Sequence, residues 1–289
     1  ASDTVLLDDN FATIVGSVEE GRVIYDNIRK FLKYTMTSNT GEIWVMLVAP
    51  FFGMPLPLVP LQILWINLVT DGVPGLAMAV EPGERNVMRR PPRDPNEPIF
   101  DSQTIRHILV IGILMGMVSL LAGYAYWLAI PTAEYDSSWG TIVFTVLTLA
   151  QMGHALAVRS TRDSLFTIGV FSNLPMIVSV AVTLGLQLTL IYTPFLQTLF
   201  KTTALSVGEL ALCLLLSTIV FWAVEVEKWL KRLSEKRQPS QTAPRCFCGA
   251  TSAIAELESL RPSDQARNSS RKQKGIPWRE PIAKGWPSS

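Results

Sequence analysis

LQILWINLVTDGVPGLAMAV, residues 61–80, is the stretch that decides how this chain folds. Its apolar run is long enough to cross a bilayer core, which takes roughly 20 residues of helix. Yet Asp71 stands in the middle of it, followed at once by the helix breakers Gly72 and Pro74. A carboxylate at bilayer depth costs at least about 2.5 kcal/mol on insertion scales, so a span that keeps one needs a compensating partner for it.

Working outward, the composition agrees with a membrane setting. Of 289 residues, 48% are hydrophobic and only 17% charged, and the mean hydropathy is positive. The charges crowd into the two ends and a few short loops, as in a polytopic membrane protein. Six spans are predicted, at 35–54, 59–80, 105–130, 141–158, 172–193 and 207–226. Before them, Ile14, Val18, Ile24, Ile28, Phe31 and Leu32 recur at helical spacing with charges between them, which predicts an amphipathic stalk running straight into the membrane. The fold expected is therefore all-α: a polytopic transmembrane helical bundle of six spans, with an amphipathic cytoplasmic stalk and a disordered C-terminal tail. Its parts are a stalk at 13–34, a transport domain at 35–232 and a tail at 233–289. The tail is rich in Ser, Pro, Arg, Gln and Gly and has no sustained apolar period, so it buries too little surface to offset chain entropy.

Lys and Arg mark the cytoplasmic side of short loops. They concentrate in the stalk (Arg22, Arg29, Lys30, Lys33), after the second span (Arg85, Arg89, Arg90, Arg93, Arg106), after the fourth (Arg159, Arg162) and after the last (Lys228, Lys231, Arg232, Lys236, Arg237). Both termini are thus expected in the cytoplasm. Membrane orientation accounts for the basic residues, and no basic patch with interleaved aromatics points to nucleic acid. Cys213, Cys246 and Cys248 have neither a disulfide framework nor a zinc spacing. The acidic start, ASDTVLLDDNF, has no apolar core of a signal peptide; it lacks an initiator Met and is expected to begin in mid-domain, as in a fragment.

The intramembrane polar residues carry the chemistry. Asn67, Thr70 and Asp71 stand at i, i+3 and i+4 of the second span, hence on one helical face, and Asn39 and Glu42 stand at i and i+3 of the first. A bound cation would compensate the two carboxylates. Carboxylate, amide and hydroxyl oxygens suit calcium, sodium or manganese, while the absence of Cys and His from the set disfavours copper and zinc. Gly72 and Pro74 would interrupt the helix beside Asp71 and free backbone carbonyls toward such an ion. Single Asn or Thr residues in spans more commonly hydrogen-bond to neighbouring helices; five such groups beside a helix break favour an ion site. Gly112 and Gly116 form GxxxG, which lets a neighbouring helix approach closely. Gln151 and His154, at i and i+3 of the fourth span, would extend the site or join helices. Glu225 and Glu227 fall at the last cytoplasmic end, where solvation is cheap.

These residues resemble a known family. ASDTVLLDDNF is similar to the end of the phosphorylation domain of P-type ATPases, so residues 1–12 would be a remnant of it. SNTGE (38–42) with LQILWINLVTDGVPGLAMAVEP (61–82) resembles the fifth and sixth membrane helices of the calcium-pump branch, of the sarcoplasmic reticulum type. RRPPRDPNEPIF (89–100) resembles that branch's loop between helices six and seven. The resemblance is dense to about residue 100, looser to about 232, and absent beyond.

It implies that Asn39, Glu42, Asn67, Thr70 and Asp71 are ion ligands, that Asp71 would bridge both ion positions of a two-site pump, and that the loop 81–104 and the stalk couple membrane movements to phosphorylation. It adds Gln151, at the position where two-calcium pumps carry a glutamate; plasma-membrane calcium pumps are neutral there too, but lose the carboxylate kept here as Glu42, so stoichiometry stays open. The family's DKTGT, GDGxNDxP, actuator TGE and fourth-helix PEGL motifs and its nucleotide-binding domain have no counterpart. No catalytic or cofactor-binding residue is expected in this chain, which alone should be inactive. The implied function is the ion-translocating part of an ATP-driven pump in the cell membrane, exporting calcium. Mg-ATP would bind on the absent N-terminal half, with its actuator, phosphorylation and nucleotide-binding domains. Manganese or sodium pumping, a secondary cation transporter and a noncatalytic membrane anchor are the alternatives.

Overall fold

In the computed structural model, residues 11–84, 87–90, 98–129, 138–160 and 164–237 are described. The chain divides into two units, residues 1–236 and 237–289, and all that follows concerns the first. The expected phosphorylation-domain remnant (apart from Phe11 and Ala12), the loop residues 91–97 and the tail from 238 onward lie outside the described residues.

Among the described residues every regular element is helical. The first, α1 (Phe11–Val48), runs unbroken for 38 residues, about 57 Å at 1.5 Å per residue. The expected stalk and first span form one continuous helix, because no proline interrupts it before Pro50. It ends in a 3-10 turn, Ala49–Phe52, capped by Gly53 at φ 73°, a left-handed conformation that glycine adopts without a Cβ clash. The second span is assembled from α2 (Pro60–Trp65), a π turn (Ile66–Thr70) and α3 (Gly72–Ala79). Then come α4 (Ser102–Ala129), α5 (Ser138–Val158), the short α6 (Leu165–Ile168), α7 (Leu174–Tyr192), α8 (Pro194–Phe200) and α9 (Val207–Arg237).

Among the described residues, five helical segments are long and apolar enough to cross a membrane: Pro60–Ala79, Ser102–Ala129, Ser138–Val158, Leu174–Tyr192 and Val207–Ser234. The remaining expected span, 35–54, is the C-terminal part of α1 and its closing turn. Thr35, Thr37, Ser38, Asn39, Thr40 and Glu42 dilute its apolar character, so the residues of chemical interest are the ones that weaken the signal.

Helix α5 is the centre of the bundle. Within its apolar stretch 89% of residues are buried, against 22% for α9, and Val143, Phe144, Val146, Leu147 and Ala150 are fully enclosed. Helix α4 packs on α1 through the GxxxG pair. A Cβ at Gly112 would lie 2.7 Å from the Thr40 Cβ and 2.9 Å from the Thr37 carbonyl, and one at Gly116 would lie 2.8 Å from the Gly41 carbonyl. Backbone meets backbone there, as small residues permit.

At the end of the bundle beyond α3, charges are paired instead of solvated. Arg159 is 1% exposed and reaches Glu81 through Nε and Nη2 at 3.0–3.2 Å. Read from sequence as a loop charge marking orientation, it is a buried ion-pair partner. The stalk half of α1 holds the 81–90 segment: Arg22 donates to the carbonyls of Val87 and Arg90 at 3.0 and 2.9 Å, Asn27 donates to the Glu81 carbonyl at 2.8 Å, and Arg90 pairs with Asp26 at 2.8 Å. Glu225 and Glu227 also differ from the solvated expectation: Glu225 pairs with Lys228 one turn on along α9, and packing of α9 against α4 sets Glu227 against His107.

Candidate ion site

The site grows out of the break in the second span. Pro74 has no N–H, so the Thr70 carbonyl four residues before it loses its helical donor. The Tyr34 hydroxyl of α1 takes that place, donating to the Thr70 oxygen at 3.0 Å. The carbonyl expected to open toward an ion is therefore held by a side chain. Just upstream, the Asp71 amide bonds to the Ile66 carbonyl at 2.9 Å, five residues back rather than four, which makes a single π turn. The extra residue alters the expected single face: Thr70 and Asp71 are buried, whereas Asn67 lies on the exposed side.

Tertiary packing nevertheless brings three helices together here. Glu42 of α1 is 5% exposed; its Oε2 accepts from Asn67 Nδ2 at 3.0 Å, and its Oε1 accepts from Gln151 Nε2 of α5 at 3.2 Å. Asp71 lies within electrostatic reach of Glu42, with the Tyr34 and Ser38 hydroxyls beside it. Five of the six sequence-predicted residues thus meet in one region, directly or through neighbours. The sixth, Asn39, is half-buried one turn before Glu42 and takes part in none of these hydrogen bonds.

Several buried oxygens have no hydrogen-bond partner among the described residues: Asp71 Oδ1 and Oδ2, Thr70 Oγ1, Ser38 Oγ and Gln151 Oε1. Buried polar atoms are normally satisfied, and leaving them bare costs free energy. All five are hard donors, the set that suits an oxygen-seeking cation. Two carboxylates match the charge of one divalent ion; among the described residues no group of three or more His, Cys, Asp or Glu forms a metal cluster.

Sequence reasoning missed Tyr34 and Ser38. A signal for them exists, since Tyr34, Ser38 and Glu42 stand at i, i+4 and i+8 and make one polar stripe along α1. It also missed His107. Of the two roles considered for His154, the structure shows helix joining: its ring stacks on Tyr34 at 5.7 Å and on His107 at 5.5 Å between centroids. Gln151, one turn earlier, touches Glu42.

Comparison with known proteins identifies the family. Residues 55–230 match the family model described as cation transporting ATPase, C-terminus. The chain is 44% identical over 219 residues to a calcium-transporting ATPase of Bacillus subtilis (strain 168), covering 76% of this chain and 24% of that protein. It is 35% identical over 229 residues to calcium-transporting ATPase 1 of Yarrowia lipolytica, covering 79% and 24%. Against the endoplasmic reticulum calcium ATPase srcA of Aspergillus fumigatus it is 33% identical over 261 residues, covering 80% and 27%. The chain thus spans only 24% to 27% of the length of these relatives. With the match running through the broken span and on to α9, the chain belongs to the cation-transporting ATPases, as a C-terminal membrane part of that family.

Proposed function

We propose that this chain is the ion-translocating membrane part of an ATP-driven calcium pump, with Asn39, Glu42, Asn67, Thr70, Asp71 and Gln151 supplying oxygen ligands. The observation that carries this reading is the buried Asp71 carboxylate, neither oxygen of which has a hydrogen-bond partner among the described residues, beside a second buried carboxylate that already gathers Asn67 and Gln151. Calcium is the cargo, favoured by the all-oxygen donors and by the names of the similar proteins; manganese and sodium suit the same donors less closely matched by name. ATP hydrolysis belongs to an N-terminal half carrying the actuator, phosphorylation and nucleotide-binding domains, where Mg-ATP binds. Residues 13–34 form the cytoplasmic stalk and residues 35–232 the transport domain, with both termini on the cytoplasmic side of the cell membrane. The bonds from Arg22 and Asn27 to the 81–90 segment give the stalk a direct hold on the helix that carries Asp71.

The test is Asp71→Asn in the complete pump, read as calcium-dependent phosphorylation from ATP. The variant should lose calcium dependence across the range that saturates the wild type; an unchanged dependence removes Asp71 from the site. Calcium uptake into liposomes by this chain alone, without ATP, would instead favour a secondary transporter.

A further inference from the structure

Both histidines of the chain, His107 and His154, lie in one buried file that the ion site does not explain. His107 of α4 is 2% exposed and His154 of α5 is 0% exposed. Their Nε2 atoms face each other at 3.2 Å. On one side, His107 Nδ1 meets the Glu227 carboxylate of α9, which Lys231 also holds at 2.7 Å. On the other, the His154 ring lies against Tyr34 at 5.7 Å with 27° between planes. Tyr34 in turn donates its hydroxyl to the Thr70 carbonyl, the oxygen that Pro74 leaves without a helical donor. The file therefore runs from α9 through α4 and α5 to the backbone next to Asp71.

We infer that His154, braced by His107 and Glu227, is a positioning residue for the Thr70–Asp71 segment, acting through the Tyr34 ring that it seats. This rests on the proposed ion site and adds to it a support that contacts no ion. Partners behind metal ligands fix their orientation, and their loss typically lowers metal affinity 10- to 100-fold.

The hydrogen-bond inventory gives the support two settings. Glu227 accepts from His107 Nδ1–H. When His107 is neutral, its Nε2 is an acceptor and His154 must donate from Nε2–H, leaving His154 Nδ1 as a bare acceptor. When His107 carries a second proton, the bond between the rings reverses, and His154 must hold its own proton on Nδ1, an atom with no partner among the described residues. One proton on His107 thus changes the tautomer of the ring that seats Tyr34. The charged and titratable groups facing the pair are Lys33 and Tyr34 from α1 and Glu227, Lys228 and Lys231 from α9.

The experiment uses the complete pump and measures the calcium concentration for half-maximal phosphorylation from ATP between about pH 5 and 8, the range in which imidazoles titrate. His154→Ala should raise that concentration about 10-fold while phosphoenzyme at saturating calcium is retained. His154→Phe keeps a ring against Tyr34 and should recover most of the affinity at pH 7. Both His154→Phe and His107→Gln should remove the imidazole part of any wild-type pH dependence and leave the part contributed by the Glu42 and Asp71 carboxylates. A His154→Ala pump that phosphorylates fully with wild-type half-saturation overturns the inference. If that variant fails to fold, a wild-type pH profile in both other variants overturns it equally. Asp71→Asn run alongside separates the two readings: if it retains calcium dependence, the ion site itself is wrong, and if it loses it while the histidine variants behave as wild type, only the positioning role is wrong.

Discussion

Arg159 is the largest of the fully buried side chains, and its guanidinium is satisfied by Glu81 and by Ser172 Oγ at 2.6 Å. A buried ion pair adds little net stability, but removing one member strands the other, at about 3–5 kcal/mol. Glu81→Ala should accordingly lower the thermal midpoint of the detergent-solubilised chain sharply, and the double variant Glu81→Leu/Arg159→Met should restore much of it; equal losses in both would mean that the charges contribute separately. Gln151 makes a different prediction. Gln151→Glu would put a third carboxylate where an amide now donates to Glu42 at 3.2 Å, turning attraction into repulsion. The variant should melt earlier than wild type without calcium and gain more from added calcium, since a ligand that binds only the folded state stabilises it. A calcium titration of the melting midpoint reads both effects.

The contact between α1 and α4 rests on glycines. Gly112→Val should lower the thermal midpoint by an amount corresponding to about 1–3 kcal/mol, the usual consequence of overpacking, because the added atoms meet the Thr37 carbonyl as well as a side chain. Gly185→Ala is the matching control: it sits inside α7 with open space around it and should be neutral or slightly stabilising. At the junction of α1 with α9, burial and then the charge of Lys231 push the Lys33 ammonium down to about 8 from an ordinary 10.5. A lysine whose folded value is depressed destabilises the fold while it is charged; the penalty is full below about pH 8 and fades as pH rises toward 10.5. Lys33→Met should therefore raise the midpoint at pH 7, with the gain shrinking above pH 8. A gain that does not vary with pH would assign the effect to packing alone.

Across the whole molecule, burial is graded from α5 outward. Backbone opening is hardest where apolar contacts are densest, so amide exchange in lipid nanodiscs should be slowest in α5 and faster toward the two ends of the described chain, the first turns of α1 and the last turns of α9. Comparable protection in α5 and the first turns of α1 would contradict this gradient. The same arrangement explains how the proposed ion site is built. Helix α5 brings Gln151 to Glu42, α4 holds α1 close through Gly112 and Gly116, and the broken span presents Asp71 between them. No single helix contains the site.

The all-helical membrane fold and the break beside Asp71 were legible from residues alone, because hydropathy, helical spacing and proline chemistry are local properties of the chain. The span expected at 35–54 is helical through Phe52, but its polar residues leave it too weakly apolar to stand out by hydropathy. Tertiary structure alone decided which groups satisfy one another. The carbonyl that Pro74 frees goes to Tyr34, the Glu42 carboxylate draws in Gln151 from more than a hundred residues away, Arg159 is buried on Glu81, and the two histidines face each other. Each of these pairings joins segments distant in sequence, and a buried donor takes whichever acceptor the packing sets within about 3 Å.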